Sequence, residues 1–173
     1  MHPDFLFHSL TTLQTMVRSD DPQAEAYILK LADVYRQTLK KERSAVSLQE
    51  ELAFLRSYLF LMIYGQEEAI TFGSSVSDES LDYHLPVFSL QLLGENCIKH
   101  NVFSPTQPLN IQLFQKDPKS ITMSNNYQPK AIQTESFGVG IENLKMRYAL
   151  AGIEGAVIIE QNETTYSTTI KLF

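Results

Sequence analysis

A single cysteine, Cys97, stands among the 173 residues, so the chain can form no disulfide within itself and suits a reducing compartment. Its ordinary role is that of a small buried apolar residue. No cysteine–histidine cluster has zinc-ligand spacing. Long apolar runs are missing as well: the longest covers residues 59–64, far short of a bilayer span, and no signal peptide opens the sequence. Positive charge is scarce. The 14 Lys and Arg residues against 20 Asp and Glu leave a net charge of −6 and a pI near 5.2, with no basic run. That excludes an extended nucleic-acid surface and leaves room for a local basic pocket. Hydrophobic content of 43% and charged content of 20% are ordinary for a globular chain long enough for one domain with a helical appendage.

The period of the apolar residues changes along the chain. Leu6, Leu10, Leu13 and Val17 recur at helical spacing, and Ser19-Asp20-Asp21-Pro22 breaks that helix. A second stripe, Ile28, Leu31, Tyr35 and Leu39, ends in Lys40-Lys41-Glu42-Arg43. A third helix starts at Ser47, where Ser47 and Glu50 match a capping box, and its stripe is Leu48, Leu52, Leu55, Leu59 and Met62. Each stripe needs a partner, within the chain or across a dimer. After Gly65 the reading changes to a strand over residues 69–76, a loop over 78–85 and a helix over 88–101. Alternation over 109–113 and 120–124 marks two strands. Residues 125–137 are aperiodic and polar, which predicts a mobile loop, followed by a helix over 140–150 and two closing strands over 156–160 and 166–172. The class is α+β, with helices on one face of a mixed or antiparallel sheet.

The densest chemistry lies in Leu93-Gly94-Glu95-Asn96-Cys97-Ile98-Lys99-His100-Asn101. Asn96, Lys99 and His100 stand at i, i+3 and i+4 and so share one helix face. An amide oxygen is a hard ligand for Mg²⁺, an ammonium answers phosphate charge, and the glycines of Gly138-Val139-Gly140 let backbone approach phosphates. Together they suit a nucleotide; taken alone, the trio reads as a solvated helix face.

Four segments resemble a known family. His2-Pro3-Asp4-Phe5-Leu6-Phe7-His8-Ser9-Leu10 is similar to the Asn-Pro-His-Phe-Leu-Phe-Asn-Ser-Leu signature of LytS-like sensor histidine kinases. Ser47-Leu48-Gln49-Glu50-Glu51-Leu52 with Tyr58-Leu59 resembles the next block, Gln91 to Asn101 the N-box, and Gly138-Val139-Gly140-Ile141-Glu142-Asn143-Leu144 with Arg147-Tyr148 the glycine box. They run in the family's order. The resemblance implies a helical dimerisation and phosphotransfer region over residues 1–64 and an ATP-binding domain of the Bergerat (GHKL ATPase) fold over 65–173. It implies that Asn96 coordinates Mg²⁺, that Glu95 orients water or metal, and that Lys99 and His100 face phosphates or ribose. Gly138 and Gly140 would let a lid close on the phosphate tail. It further implies a homodimer, a response regulator as partner, no nucleic acid, no membrane contact from these residues, and a cytoplasmic place beneath an inner-membrane sensor whose sensory part precedes Met1.

Two departures from the family pattern bear on function. The position of the phosphoaccepting histidine holds Asp4, which lacks the ring nitrogen that chemistry uses. As an acid in the first helical turn, Asp4 suits the helix dipole. His8, one turn on, stands where the family has Asn. In the adenine-binding box, the usual Asp-x-Gly-x-Gly is replaced by Asn125-Asn126-Tyr127, so Asn125 keeps an acceptor oxygen without charge. Asn125-Asn126 reads equally as an adenine contact or as a turn. The alternative to an active kinase is therefore a degenerate relative acting as a dimerising, nucleotide-binding scaffold.

Overall fold

A computed structural model describes residues 3–39, 43–131 and 138–173. In chain order the elements are α1 (Pro3–Arg18), α2 (Ala24–Leu39), β1 (Ala45–Ser47), α3 (Leu48–Ile63), β2 (Ile70–Ser75), a 3-10 turn (Asp78–Ser80), β3 (His84–Pro86), α4 (Ser89–His100), β4 (Leu109–Phe114), β5 (Ser120–Asn126), α5 (Val139–Leu150), β6 (Val157–Gln161) and β7 (Thr165–Lys171).

The predicted capping box starts α3: Glu50 N–H donates to Ser47 Oγ at 3.2 Å, and Ser47 N–H donates back to Glu50 Oε2 at 3.1 Å. Leu48, Leu52, Leu55 and Leu59 are buried as the stripe requires, and Phe54, Tyr58 and Leu61 are buried beside them. The helix is enclosed on more than one side because α2 and α4 both pack on it. In α1 and α2 the stripes need correction. The inward side of α1 is Phe5, Ser9 and Met16, with Leu13 packed at the edge, while Leu6, Leu10 and Val17 face outward. In α2 the buried residues are Tyr27, Leu31 and Val34, whereas Ile28 and Leu39 are exposed. Both helices carry apolar residues on two sides, so spacing alone does not choose the side. The core chose aromatics: Phe5 stacks on Tyr58 at 5.0 Å, and Tyr27 meets Tyr64 edge-on at 5.5 Å.

The main sheet has the order β2-β4-β5-β7-β6, with β2 and β4 parallel and the other pairs antiparallel. The crossover carrying α4 makes the parallel pair possible, since parallel neighbours need a long connection. Leu109, Ile111 and Leu113 point into the core while Asn110 and Gln112 face out, so α4 and α5 lie on one side of the sheet. The expected loop over 78–85 instead contains the 3-10 turn and the start of β3, which pairs with β1. Each of these strands has three residues, too few to show a period. The expected loop over 125–137 also begins later. Asn125 and Asn126 are the last residues of β5 and pair with Tyr166 and Thr165. Residues 132–137 of that loop, and Lys40, Lys41 and Glu42 at the expected end of the second helix, lie outside the described residues. No helix among the described residues is long and apolar enough to cross a membrane.

Candidate functional site

α4 divides the predicted site residues between its two sides. Asn96 and His100 share a cavity of about 110 Å³ with Asn125 and Tyr127 from β5 and the chain after it, Tyr166 of β7, and Gly138 and Ile141 at the start of α5. Glu95 and Lys99 instead line a second cavity of about 290 Å³, with Phe5 and His8 of α1 and Tyr58 and Met62 of α3. The single face expected for Asn96, Lys99 and His100 is thus split. Each residue advances about 100° around a helix. His100 therefore lies roughly 40° to one side of Asn96 and Lys99 roughly 60° to the other, and a narrow cavity takes only the first pair. Glu95 is fixed on its side by Gln91, whose Nε2 donates to Glu95 Oε2 at 2.6 Å.

Around the first cavity the polar groups are held firmly. Asn101 closes α4: its Nδ2 donates to Cys97 O at 2.8 Å and its Oδ1 accepts from Gln128 N–H at 2.8 Å. Asn125 is 2% exposed; its Nδ2 donates to Asn126 O at 2.7 Å, which fixes the amide, while its Oδ1 is buried and meets no donor among the described residues. A buried acceptor without a partner is uncommon and calls for an explanation. The Tyr127 and Tyr166 rings stack nearby at 6.3 Å. Burial, with the Lys99 and Lys130 charges second, holds the His100 pKa below its usual range, so its ring is neutral near pH 7.

The two glycines have different roles here. Gly138 has φ 90 at the N-cap of α5, a left-handed conformation that suits glycine, and the space where a Cβ would stand is open. At Gly140 a Cβ would lie 2.6 Å from Leu92 Cδ1, so this glycine lets α5 approach α4. Asp4 lies in the first turn of α1, its side chain outside the described ones. Among the described residues no group of three His, Cys, Asp or Glu could hold a metal ion.

The sequence reading missed Glu51. This carboxylate is buried under the start of α4, where Phe88 N–H donates to Oε1 at 2.6 Å and Leu90 N–H to Oε2 at 2.9 Å. The signal was available: Glu51 sits three residues after Leu48 and four before Leu55, on the buried arc of an apolar helix.

The family described as Histidine kinase matches residues 1–70. Over 100 residues the chain is 30% identical to the sensor histidine kinase BtsS of Escherichia coli K12, covering 58% of this chain and 18% of BtsS. Over 184 residues it is 27% identical to the sensor histidine kinase/phosphatase LytS of Staphylococcus aureus strain Mu50, covering 96% of this chain and 31% of LytS. These matches support a likeness to the LytS-like sensor histidine kinases. The chain spans less than a third of the curated relatives it matches. Its fold is that of the cytoplasmic segment of histidine kinase QseC, with a TM-score of 0.51 at 12% identity, covering 87% of this chain and 93% of that one. Of the residues that resemble the N-box and the glycine box, Asn96, His100, Asn101, Gly138, Ile141 and Glu142 line the smaller cavity, and Glu95, Ile98 and Lys99 line the other.

Proposed function

We infer that the chain is the cytoplasmic kinase region of a two-component sensor, binding Mg-ATP for phosphoryl transfer towards a response regulator. Residues 1–64 serve dimerisation and phosphotransfer, and residues 65–173 form a Bergerat-type (GHKL) nucleotide domain. The observation that carries the reading is Asn125 Oδ1, a buried acceptor with no donor among the described residues, beside a cavity walled by the Asn96 helix and Gly138. An adenine amino group is a donor that fits it. The cavity, about 110 Å³, is well below the roughly 300–1,000 Å³ of a full ligand site. It therefore takes the base, and the phosphates extend toward Gly138 and the N-terminus of α5, the end of a helix that favours anions. Asn96 supplies one oxygen to Mg²⁺, and phosphate and water supply the others. His100, neutral, is a hydrogen-bonding group for ribose or phosphate. Glu95 and Lys99 line the other cavity, on the side of α4 facing α1, and stand apart from this placement of the base and phosphates.

Calorimetry tests this reading. Mg-ATP should bind, and Asn96→Ala should weaken it tenfold or more, about 1.4 kcal/mol. Absence of Mg-dependent binding to the unmodified chain would overturn it. Asp4 at the acceptor position favours a second reading, a degenerate partner that dimerises and binds nucleotide without phosphorylating itself.

A further inference from the structure

The junction of α3, α4 and α5 holds a buried charge, a strained backbone and a cationic tie in one place. Glu51 of α3 is 2% exposed and its two oxygens take the N–H groups of Phe88 and Leu90. Helices are usually capped by the residue at their own N-cap, yet Phe88 at the N-cap of α4 offers no side-chain cap and the acceptor comes from 37 and 39 residues earlier. Phe88 has φ 62, a left-handed conformation that a bulky residue keeps only when its surroundings enforce it. Those surroundings are the Glu51 oxygen on its N–H and the Phe54 ring 5.0 Å from its own. On the other side Arg147 of α5 donates to Val87 O, and its guanidinium lies within charge range of Glu51.

We propose that Glu51 is a positioning residue that couples the helical region to the nucleotide cavity, clamping α4 directly and α5 through Arg147. The inference rests on the nucleotide-binding reading, and it names how that site is regulated. α4 carries Asn96 and Gly138 is the N-cap of α5, so one carboxylate controls both walls. A shift of α3 along α4 lengthens both N–H bonds together and leaves a buried anion unpaired, while the strained Phe88 turn is free to relax. Small movements of α3 therefore switch the first turn of α4 between two arrangements rather than deforming it gradually.

The groups facing Glu51 are Arg147 and Tyr148 from α5, with Arg43, Glu50, Asp33 and Arg36 around the neighbouring cavity of about 380 Å³. Burial pushes the Glu51 carboxyl up to about 7 against the pull of its backbone partners and of Arg147. Once protonated it keeps one good acceptor oxygen, so one of the two N–H bonds is lost as pH falls through about 7.

The test uses the full 173-residue chain without nucleotide first. Amide exchange at Phe88 and Leu90 should quicken about tenfold in Glu51→Gln, which retains one acceptor, and further in Glu51→Ala. The amide signals of Gly138 and Ile141 should move in the same order. In the unmodified chain the Leu90 amide should titrate near pH 7 with Gly138 following it, a readout that needs no variant to fold. Mg-ATP affinity should then fall at least threefold in Glu51→Gln. Loss of Leu90 protection with Gly138 and Ile141 unmoved would overturn the coupling and leave Glu51 a local cap. A titrating Leu90 with a stationary Gly138 would do the same. If the unmodified chain binds no nucleotide, the nucleotide reading fails, and the exchange and titration results still decide the coupling.

Discussion

Gly140 of α5 stands so close to Leu92 of α4 that a Cβ on it would lie 2.6 Å from the leucine Cδ1. The two helices that wall the cavity thus touch through the smallest residue available. Alanine there must displace the flexible end of Leu92, and the gain in helix propensity, about 1 kcal/mol, offsets that shift. Gly140→Ala should be close to neutral. Gly140→Val adds branched bulk and should cost about 1–3 kcal/mol. Denaturant midpoints measure both, and a valine variant as stable as the parent would show that the spacing is set elsewhere.

Asn125→Asp restores the acid of the family's usual adenine box, yet it should destabilise this chain. The Asn125 Nδ2 bond to Asn126 O, 2.7 Å long, would become a carboxylate facing a carbonyl. Loss of a buried bond with its donor is worth about 1–3 kcal/mol. Thermal unfolding should reveal the loss at neutral pH and recover part of it in acid, where the carboxyl can donate. A rise in stability at neutral pH would contradict the hydrogen-bond assignment.

Leu10→Glu should convert a dimer to a monomer without unfolding it. Leu6, Phe7 and Leu10 of α1 and Ile28 and Leu29 of α2 are exposed, Phe7 at 69% and Leu10 at 47%. That is an apolar face of the kind that marks an interaction surface. Leu13 packs against the core, so Leu13→Asp should unfold the helical region instead. Sedimentation at several concentrations separates the cases. An unmodified chain that stays monomeric when concentrated would remove this face as a self-association surface.

Asp4 predicts that the chain gains no acid-labile, base-stable label from γ-labelled ATP, and that Asp4→His gains it. His8 lies one turn, about 6 Å, further along the helix, and its Nε2 is buried with no partner among the described residues, a poor state for a nucleophile. Label on the unmodified chain that disappears in His8→Ala would overturn both statements.

The turn between α1 and α2 should make stability fall in acid. Tyr64 Oη donates to Asp21 Oδ2 at 2.6 Å and Gln23 N–H donates to Asp21 Oδ1 at 2.8 Å, and these bonds hold the Asp21 carboxyl below its usual range. A carboxyl whose pKa is depressed in the folded state adds stability above its unfolded pKa and loses it as pH falls through the folded one. The acid limb of the stability profile should be shallower in Tyr64→Phe, because less of the depression remains to be lost. An unchanged limb would assign the acid sensitivity to other groups.

Among the site residues, Asn96, His100, Asn125 and Gly138 come together around one cavity, and the sequence had named all four. Glu95 and Lys99 were named with them and lie on the other side of α4. The motif lists residue types, whereas the side each one faces depends on what packs against the helix. Glu51 was quoted within a motif without a role, because its partners, Phe88 and Leu90, are far away in sequence.

Taken alone, the sequence determined the order and type of nearly every long element, since caps, breakers and apolar periods act within a few residues. Ser47 with Glu50 starts α3 by local bonds, and the alternation over 109–113 marks β4 whatever surrounds it. Only the tertiary structure decided which sides of α1 and α2 turn inward, because both sides are apolar and the choice belongs to Tyr58 and Tyr64, their aromatic partners. It also decided that Asn125 ends a strand rather than opening a loop, since pairing with Tyr166 is a long-range bond that local propensity does not contain. The left-handed Phe88 belongs to the same class. No short-range rule puts a phenylalanine there, and a carboxylate from another helix holds it.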